Sequence, residues 1–465
     1  MKREINMSDG ALLPNIIRYT IPIILTSLLQ LFFNAADLIV VGQFCGSIYV
    51  AAVGATGSLT NLIVNLFIGL SIGAGVAVAQ AIGAKNDEEV HRTVHTAIPT
   101  AAISGLIMTF IGLWLAPDFL RWMDTPDSVL GLSSVYMRLY FCGMTASMLY
   151  NYGAALLRAA GDTKSPLIYL TVAGVLNILL NVLFVVAFDM NVAGVALATS
   201  ISQTVSAVLV LWALHKRTDA CKLELKKLRF HKKPFFKMVR IGLPAGIQGS
   251  LFSISNVLIQ SSINSFGEVV MSGNAAASNL EGFVYVSINA FSQTSLNFTG
   301  QNIGACRYDR IPKILHTCLA CVTVVGVVLG AVAYFLGRPL LGIYITDSPE
   351  AITYGLSRMA YICLPYFLCG IMDVTTGSVR GMGFSLAPMI ATVMGVCVFR
   401  IVWIYTVFAI FRTPENLYVS YPISWTLTFV VEYWMFHHYM RQIRRRAAEP
   451  MLQPASTGET EPAHG

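Results

Sequence analysis

Long apolar runs separated by short polar breaks account for nearly the whole chain. A helix needs roughly 20 predominantly apolar residues to cross the hydrocarbon core of a bilayer. Breaks at Gly, Pro and charged residues divide the chain into twelve runs of about that length. The runs are residues 14–42, 51–83, 93–116, 131–158, 165–188, 192–215, 235–266, 272–303, 312–336, 352–379, 386–410 and 416–440. This pattern predicts an all-α membrane protein with twelve transmembrane helices.

The two halves of the chain repeat the same positions at an offset of 221 or 222 residues. Arg18 and Pro22, for example, recur as Arg240 and Pro244. Other recurring pairs are Asn34 and Asn256, Gln80 and Gln301, His95 and His316, Arg158 and Arg380, Gly161 and Gly383, and Pro166 and Pro388. Six helices per half is an even number, so both halves enter the membrane from the same side, as in transporters built from parallel repeats. We therefore expect two parallel six-helix repeats, an N-lobe and a C-lobe, around a central cleft.

Composition supports the bilayer as the solvent of this protein. The 465 residues are 55% hydrophobic and 12% charged, against about 25% charged in an ordinary soluble domain. The first apolar run is too long for the core of a signal peptide and is interpreted as the first span. The expected organisation is an N-lobe at 1–215, a basic cytoplasmic linker at 216–234, a C-lobe at 235–446 and a disordered cytoplasmic tail at 447–465.

The distribution of Lys and Arg predicts the orientation in the membrane. The N-terminus, the C-terminus and the breaks after spans 2, 4, 6, 8 and 10 hold 25 of the 31 Lys and Arg residues. Both termini of this multi-pass membrane protein are therefore expected in the cytoplasm. The linker is the most basic stretch, and a positive-inside anchor accounts for it without a nucleic-acid partner.

Asp37 is the clearest candidate for function, because an ionisable side chain inside hydrocarbon is costly. A rise of about 1.5 Å per residue places it in one layer with Asn181 of span 5 and Thr199 of span 6, with Asn177 beneath. Asn177 and Asn181 are four residues apart and face the same way. A lone acid among neutral hydrogen-bonding groups can bind a proton or Na⁺ as the site alternates between wet and dry. Alternatively, these groups only satisfy one another between helices.

The C-lobe does not repeat this acid, because Ile259 occupies the position equivalent to Asp37. Three ionisable residues lie inside its spans, Glu281, Asp373 and Arg400. Either one acid–base pair among them is structural, or they line the cavity as substrate or ion contacts. The candidates for the substrate cavity are Asn34, Asn256, Gln260, Glu281, Asp373 and Arg400. Arg138, Arg358 and Glu432 are nearer span ends, where we expect them to reach the membrane surface by snorkelling.

Several short motifs carry no chemistry. Gly69-x-x-x-Gly73 lies in an apolar span and predicts close helix packing rather than phosphate binding. Cys318-x-x-Cys321 has no second His or Cys pair at ligand spacing, so we expect no metal site there. No nucleophile–base motif or nucleotide-binding domain is apparent. The sequence thus predicts no enzyme and no cofactor, no metal beyond a possible Na⁺ at Asp37, and an ion gradient as the source of energy for uphill transport.

Residues 14–440 resemble the multidrug and toxic compound extrusion (MATE) family, in particular its bacterial DinF-like branch. The resemblance rests on Asp37 followed by Val41-Gly42, on the loops Leu157–Pro166 and Val379–Gly383, and on Gln80 and Gln301 before Ile-Gly-Ala. It implies a twelve-helix antiporter of the bacterial inner membrane that expels organic cations, drugs or dyes in exchange for H⁺ or Na⁺. We expect it to act as a monomer.

The resemblance also implies an N-lobe ion site at Asp37, Asn177 and Thr199, with Asn151 as a further member. Asn181 replaces the second acid that some members carry on span 5, which favours protons over Na⁺. The alternative is a lipid-linked precursor flippase of the same wider superfamily. Flippases of that kind usually have a cluster of cationic residues in the cavity, and by sequence only Arg400 is expected deep in this one.

Overall fold

The computed structural model describes residues 4–123, 125–345 and 348–452, which contain helices and no strand. Twelve helical elements, α1 to α12, correspond to the twelve predicted spans. The described residues also contain the short helices Gly337–Tyr344 and Val407–Ile410 and the 3-10 turn Leu225–Lys227. The N-lobe contains α1 (Leu12–Phe44), α2 (Ser47–Gly83), α3 (Asp87–Trp122), α4 (Asp127–Cys142 and Met144–Ala159), α5 (Lys164–Val182, extended by the π-helix Leu183–Ala187) and α6 (Asn191–His215). The C-lobe contains α7 (Lys232–Asn264), α8 (Glu268–Gly304), α9 (Arg310–Phe335), α10 (Pro349–Ile362 and Tyr366–Gly381), α11 (Leu386–Thr392, the π-helix Val393–Val398 and Phe399–Tyr405) and α12 (Pro414–Leu452). The prediction of an all-α protein with two six-helix lobes is confirmed.

Two predicted boundaries differ from the observed ones. The connection between the lobes is shorter than predicted, because α7 already begins at Lys232. The last helix continues to Leu452, so residues 447–452 are helical, whereas we predicted them to be part of a disordered tail. The rest of that predicted tail, residues 453–465, lies outside the described residues.

Two of the helices at which the lobes meet, α7 and α8, are rich in polar residues. In the described part of the chain, seven helices are long and apolar enough to cross a membrane, or eight if the two segments of α10, bent by 44°, form one span. Neither α7 nor α8 is among them. Ser250 of α7 donates to the Leu62 carbonyl of α2, and Gln301 of α8 donates to the Ala159 carbonyl of α4. Some of the polar side chains of α7 and α8 therefore serve contacts with the other lobe.

Glycines allow α2 of the N-lobe and α7 of the C-lobe to touch backbone to backbone. A Cβ atom at Gly69 would lie 2.2 Å from the Gly246 nitrogen, and one at Gly73 would lie 2.1 Å from the Met238 carbonyl oxygen. Any larger residue would push the lobes apart. The prediction that Gly69 and Gly73 serve helix packing is confirmed.

The lobes also meet at the end of the molecule that carries both termini. A Cβ atom at Gly83 would lie 1.9 Å from the Gln301 carbonyl oxygen, and one at Gly304 would lie 1.9 Å from the Gln80 carbonyl oxygen. The Gln80 side chain donates to the Gly381 carbonyl oxygen at 2.9 Å. The Gln301 side chain makes the equivalent bond to Ala159 at 2.7 Å. These pairwise contacts follow the sequence repeat and close the cleft at this end.

Residues 4–11, which we call the N-terminal strap, cross the same end from one lobe to the other. The Ile5 amide donates to the Gly161 carbonyl oxygen of the N-lobe at 3.1 Å. The Asn302 side chain of the C-lobe donates to the Met7 carbonyl oxygen at 3.0 Å, and the Met7 side chain is fully buried. The strap therefore adds a second layer of contacts over the closed end of the cleft.

Candidate functional site

A cavity of about 590 Å³ lies between the lobes. Both lobes contribute to its wall, which is rich in hydroxyl, amide and guanidinium groups. Its polar lining residues include Gln30, Asn34, Asp37, Asn61, Asn65, Asn151, Arg158, Asn177, Thr199, Gln203, Asn289, Gln293, Asn297 and Arg380. A cavity of this size and polarity, built at the interface of two repeats, is suited to bind a small molecule.

Asp37 is held in this wall by residues of two other helices of the N-lobe. The Asn181 Nδ2 donates to Asp37 Oδ1 at 2.5 Å, and the Thr199 hydroxyl lies 3.3 Å from Asp37 Oδ2. The second hydrogen of Asn181 Nδ2 points to Asn177 Oδ1 at 3.3 Å, and Asn177 Nδ2 donates to the Thr199 hydroxyl at 3.3 Å. The four residues, which we call the Asp37 cluster, therefore form a closed hydrogen-bonded ring.

The Asp37 cluster contains a single titratable group. Among the described residues, no Lys, Arg or His lies within ion-pair distance of the Asp37 carboxylate. The Thr199 hydroxyl has one hydrogen but two acceptors in reach, Asp37 Oδ2 and the Val195 carbonyl oxygen at 3.0 Å. It can switch between them as the charge of Asp37 changes. The geometry thus suits a carboxylate that gains and loses a cation.

Helical spacing explains how the sequence brings these groups together. Asn34 and Asp37 are three residues apart on α1, and both line the cavity. Asn177 and Asn181 are four apart on α5, so their amides point the same way. Two residues after Asn181 the α-helix gives way to the π-helix Leu183–Ala187. Such local widening is frequent at functional sites in helices.

The structure places the remaining predicted candidates in different surroundings. Asn151 lines the cavity, but its amide donates to the Ser147 carbonyl oxygen at 2.8 Å and not to the Asp37 cluster. Of the six candidates for the substrate cavity, Asn34 is in its wall. Those that do not line it are Asn256, Gln260, Glu281, Asp373 and Arg400.

Glu281 forms a buried ion pair with Arg358 rather than with Arg400. The guanidinium Nε and Nη2 atoms of Arg358 each lie 2.7 Å from a carboxylate oxygen of Glu281. Arg358 Nη1 also donates to Asn274 Oδ1 at 2.6 Å, and Asn274 in turn donates to Gln260 at 3.0 Å. Our expectation that Arg358 snorkels to the surface is wrong, because its charge is neutralised inside the lobe.

Arg400 and Asp373, the other two members of the expected set, are not paired with each other. The Arg400 guanidinium lies 3.8 Å from the Tyr421 ring centre, and its Nε donates to the Ser424 hydroxyl at 3.1 Å. Contact with an aromatic face stabilises a cation away from water. Asp373 contributes its backbone carbonyl to Ser292 at 2.6 Å. An ion pair among Glu281, Asp373 and Arg400 is therefore not formed.

Glu432 is a second residue for which snorkelling is the wrong explanation. Its side chain is fully buried, and its two carboxylate oxygens accept hydrogen bonds from Thr376 at 2.6 Å and Thr392 at 2.7 Å. Arg138, in contrast, is exposed. The distance of Glu432 from the predicted span end suggested a position near the membrane surface. That distance was too short, because α12 extends well beyond the predicted span.

Arg158 and Arg380 line the cavity, although the sequence interpretation assigned them to loops. They occupy equivalent positions of the repeat, next to the last residues of α4 and α10. Arg158 is seven residues after Asn151, which is two helical turns on the same face. Helical spacing from the predicted site residue Asn151 could therefore have identified it.

The chain is similar to known proteins over most of its length. The model of the MatE family matches residues 22–183 and 244–406. The probable multidrug resistance protein YoeA of Bacillus subtilis (strain 168) is 27% identical over 92% of this chain and 94% of its own. YpnP, a probable multidrug resistance protein of the same organism, is 25% identical over 85% of this chain and 88% of its own. A solved outward-facing multidrug resistance MATE family transporter of the MOP superfamily superimposes with a TM-score of 0.88 at 20% identity, covering 96% of this chain and 99% of that structure.

Proposed function

Because this chain belongs to the MatE family, we propose that it is a secondary active antiporter that exports amphipathic organic cations and drugs in exchange for H⁺ or Na⁺. The observation that carries the proposal is the Asp37 cluster, a carboxylate among neutral partners on the wall of a cavity between two repeats. Two relatives named as probable multidrug resistance proteins support the substrate class. The substitution Asp37→Asn, which should abolish gradient-driven efflux, is the decisive test.

Export by this route requires that the cavity open to one side at a time. The contacts of Gly83 with Gln301 and of Gly304 with Gln80, together with the N-terminal strap, support a state closed at the terminus-bearing end. In the opposite state these contacts must separate. Small residues at the contact let the lobes close again, because backbone meets backbone there.

Replacing Gly83 or Gly304 by Leu should reduce efflux at least ~10-fold, since a side chain there overlaps a carbonyl oxygen and keeps the lobes apart. Dye efflux from cells lacking their major pumps measures the effect, with membrane expression checked in parallel. Gly131→Leu is the matched control, because a Cβ atom at Gly131 meets nothing within 4 Å. Normal efflux by both Gly83→Leu and Gly304→Leu would contradict closure at this contact.

The composition of the Asp37 cluster favours H⁺ as the coupling ion. One carboxylate can be neutralised by one proton, whereas Na⁺ needs several oxygen ligands to replace its water. Asn181 contacts Asp37 directly and has an Oδ1 atom without a partner among the described residues. Asn181 is therefore the position at which a second acid would change the preference of the site between H⁺ and Na⁺.

Asn181→Asp should increase the dependence of transport on Na⁺, because two adjacent carboxylates attract a cation more strongly than one. The half-maximal Na⁺ concentration for efflux should fall about tenfold. Efflux from proteoliposomes with imposed Na⁺ or H⁺ gradients measures it, and Asn151→Asp serves as a control outside the cluster. Identical ion dependence of Asn181→Asp and the unmodified protein would show that Asn181 is structural.

We further propose that both termini are cytoplasmic, with Cys45 at the external end of α1 and Cys306 in the cytoplasmic connection after α8. Cys221, in the linker, is unsuitable as a reporter, since burial raises the pKa of its thiol to about 12. Cys306 is exposed and Cys45 is half-buried.

In single-cysteine variants of otherwise cysteine-free protein, an impermeant maleimide added to intact cells should label Cys45 and not Cys306. Cys306 should react only after the membrane is permeabilised, which also verifies that its thiol is reactive. Labelling of Cys306 in intact cells would reverse the proposed orientation.

A lipid-linked precursor flippase remains the second candidate, because Arg158 and Arg380 give the cavity the cationic groups that such a function requires. Reconstituted protein distinguishes the two functions. An antiporter accumulates a dye against its gradient, whereas a flippase moves a pyrophosphate-linked polyprenyl lipid between leaflets. Lipid movement without dye transport would favour the flippase.

A further inference from the structure

Two arginines of opposite lobes face the cavity at its deep end. Tyr19 of α1 marks their level, because its hydroxyl donates to the Arg158 carbonyl oxygen at 2.7 Å. Asp37 lies 18 residues further along the same helix, or ~27 Å at a rise of 1.5 Å per residue. The arginines are thus well separated from the Asp37 cluster, and a group bound beside them is distant from its charge.

Neither guanidinium is neutralised by an ion pair in the described residues. Arg158 Nη1 donates to Gln293 Oε1 at 3.1 Å, and Arg380 Nη2 donates to Gln248 Oε1 at 2.5 Å. Both Nε atoms are buried without a hydrogen-bond partner. The buried carboxylates of Glu432 and Asp373 act electrostatically on the Arg380 guanidinium, but neither is within ion-pair distance of it. Each arginine therefore has an unused Nε donor and no direct ion-pair partner among the described residues.

From this geometry we infer that Arg158 and Arg380 form a subsite for the anionic group, a carboxylate or phosphate, of an amphipathic substrate. A guanidinium binds two oxygens of such a group through parallel hydrogen bonds, and these charge-assisted bonds are strong where water is scarce. Because one arginine comes from each lobe, the anion would join the lobes at the deep end of the cavity. The inference rests on the proposed transport function and extends its substrates to zwitterions and anions.

The test compares two dyes that differ in one carboxylate. Rhodamine B carries a free carboxylate beside its cationic ring system, and its ethyl ester keeps the cation alone. Their dissociation constants are measured by fluorescence anisotropy with the full-length chain in lipid nanodiscs. We expect the affinity for rhodamine B relative to its ester to fall about tenfold or more in Arg158→Gln and in Arg380→Gln. Arg138→Gln, which removes an exposed charge outside the cavity, should leave the ratio unchanged.

A second variant keeps the test valid if loss of an arginine impairs folding. Gln293→Glu places an acid against Arg158 and neutralises its charge in place, so it should lower the same ratio. An unchanged ratio in folded Gln293→Glu, or in both folded arginine variants, overturns the inference.

The source of the anion is distinguished by adding phosphatidic acid to the nanodisc. Displacement of rhodamine B by the lipid identifies a lipid headgroup as a ligand of the subsite, and retention of the dye identifies small amphiphiles. Efflux of the ester by cells that fails with Asp37→Asn would uphold the proposed function even where the ratio is unchanged. Absence of efflux of the ester by cells with the unmodified protein would instead refute the proposed function.

Discussion

Asp37→Asn is expected to abolish gradient-driven efflux and to raise dye accumulation to the level of cells without the protein. Asn has the shape of Asp but cannot take up and release a proton, and it carries no charge to attract Na⁺. Asp37 is the titratable group of its hydrogen-bonded ring, and the residues that contact it, Asn181 and Thr199, are neutral. The measurement is dye accumulation in energised cells lacking their major pumps.

Folding should be little affected by this substitution. The amide that replaces the carboxylate can still accept from Asn181, and the Thr199 hydroxyl can turn to accept rather than donate, at a cost of about 1 kcal/mol. Asp118→Asn, which changes an exposed acid of the N-lobe, should transport normally. Dye accumulation in cells with Asp37→Asn that is as low as in cells with the unmodified protein would exclude the N-lobe cluster as the coupling site.

The second large effect is expected at the buried pair of Glu281 and Arg358. Glu281→Gln should lower the free energy of unfolding by about 3–5 kcal/mol, because it leaves the Arg358 guanidinium charged and without its carboxylate inside the lobe. Arg358→Met should have an effect of the same size, since it strands the carboxylate. Thermal unfolding of purified protein in detergent measures both changes.

Two controls distinguish the effect of an unpaired buried charge from the effect of losing side-chain contacts. The double variant Glu281→Gln with Arg358→Met removes both charges and should recover a large part of the stability. Arg138→Met, at an exposed position, should be neutral. If Glu281→Gln leaves the stability unchanged and weakens the transport of cationic dyes more than that of neutral dyes, Glu281 is a substrate contact instead.

The Asp37 cluster was predictable because its contacts follow from helix geometry. Three facts were sufficient: the depth of Asp37 in its span, the i, i+4 spacing of Asn177 and Asn181, and the up-and-down order of the helices. Each depends on the rise and periodicity of a regular helix. The structure places hydrogen-bonding atoms of Asn181 and Thr199 within 3.3 Å of the Asp37 carboxylate.

The partner of Glu281 was not predictable in this way. Arg358 lies 77 residues away, on the first segment of α10. Whether it faces Glu281 depends on the rotation of α10 about its axis, and its two segments are bent by 44°. A count of residues from the span end gives depth but no direction, and so it assigned Arg358 to the surface.

The sequence by itself determined the number of helices, the two-lobe repeat and the depth of the lone acid in the N-lobe. A chain in lipid must satisfy its backbone hydrogen bonds within each helix, so the length of an apolar run defines a span. Tertiary structure alone decided which side chains face the cavity, which charges pair and which thiols are buried. Those outcomes depend on how helices distant in sequence rotate and pack against one another, and a periodic pattern within one helix does not contain that information.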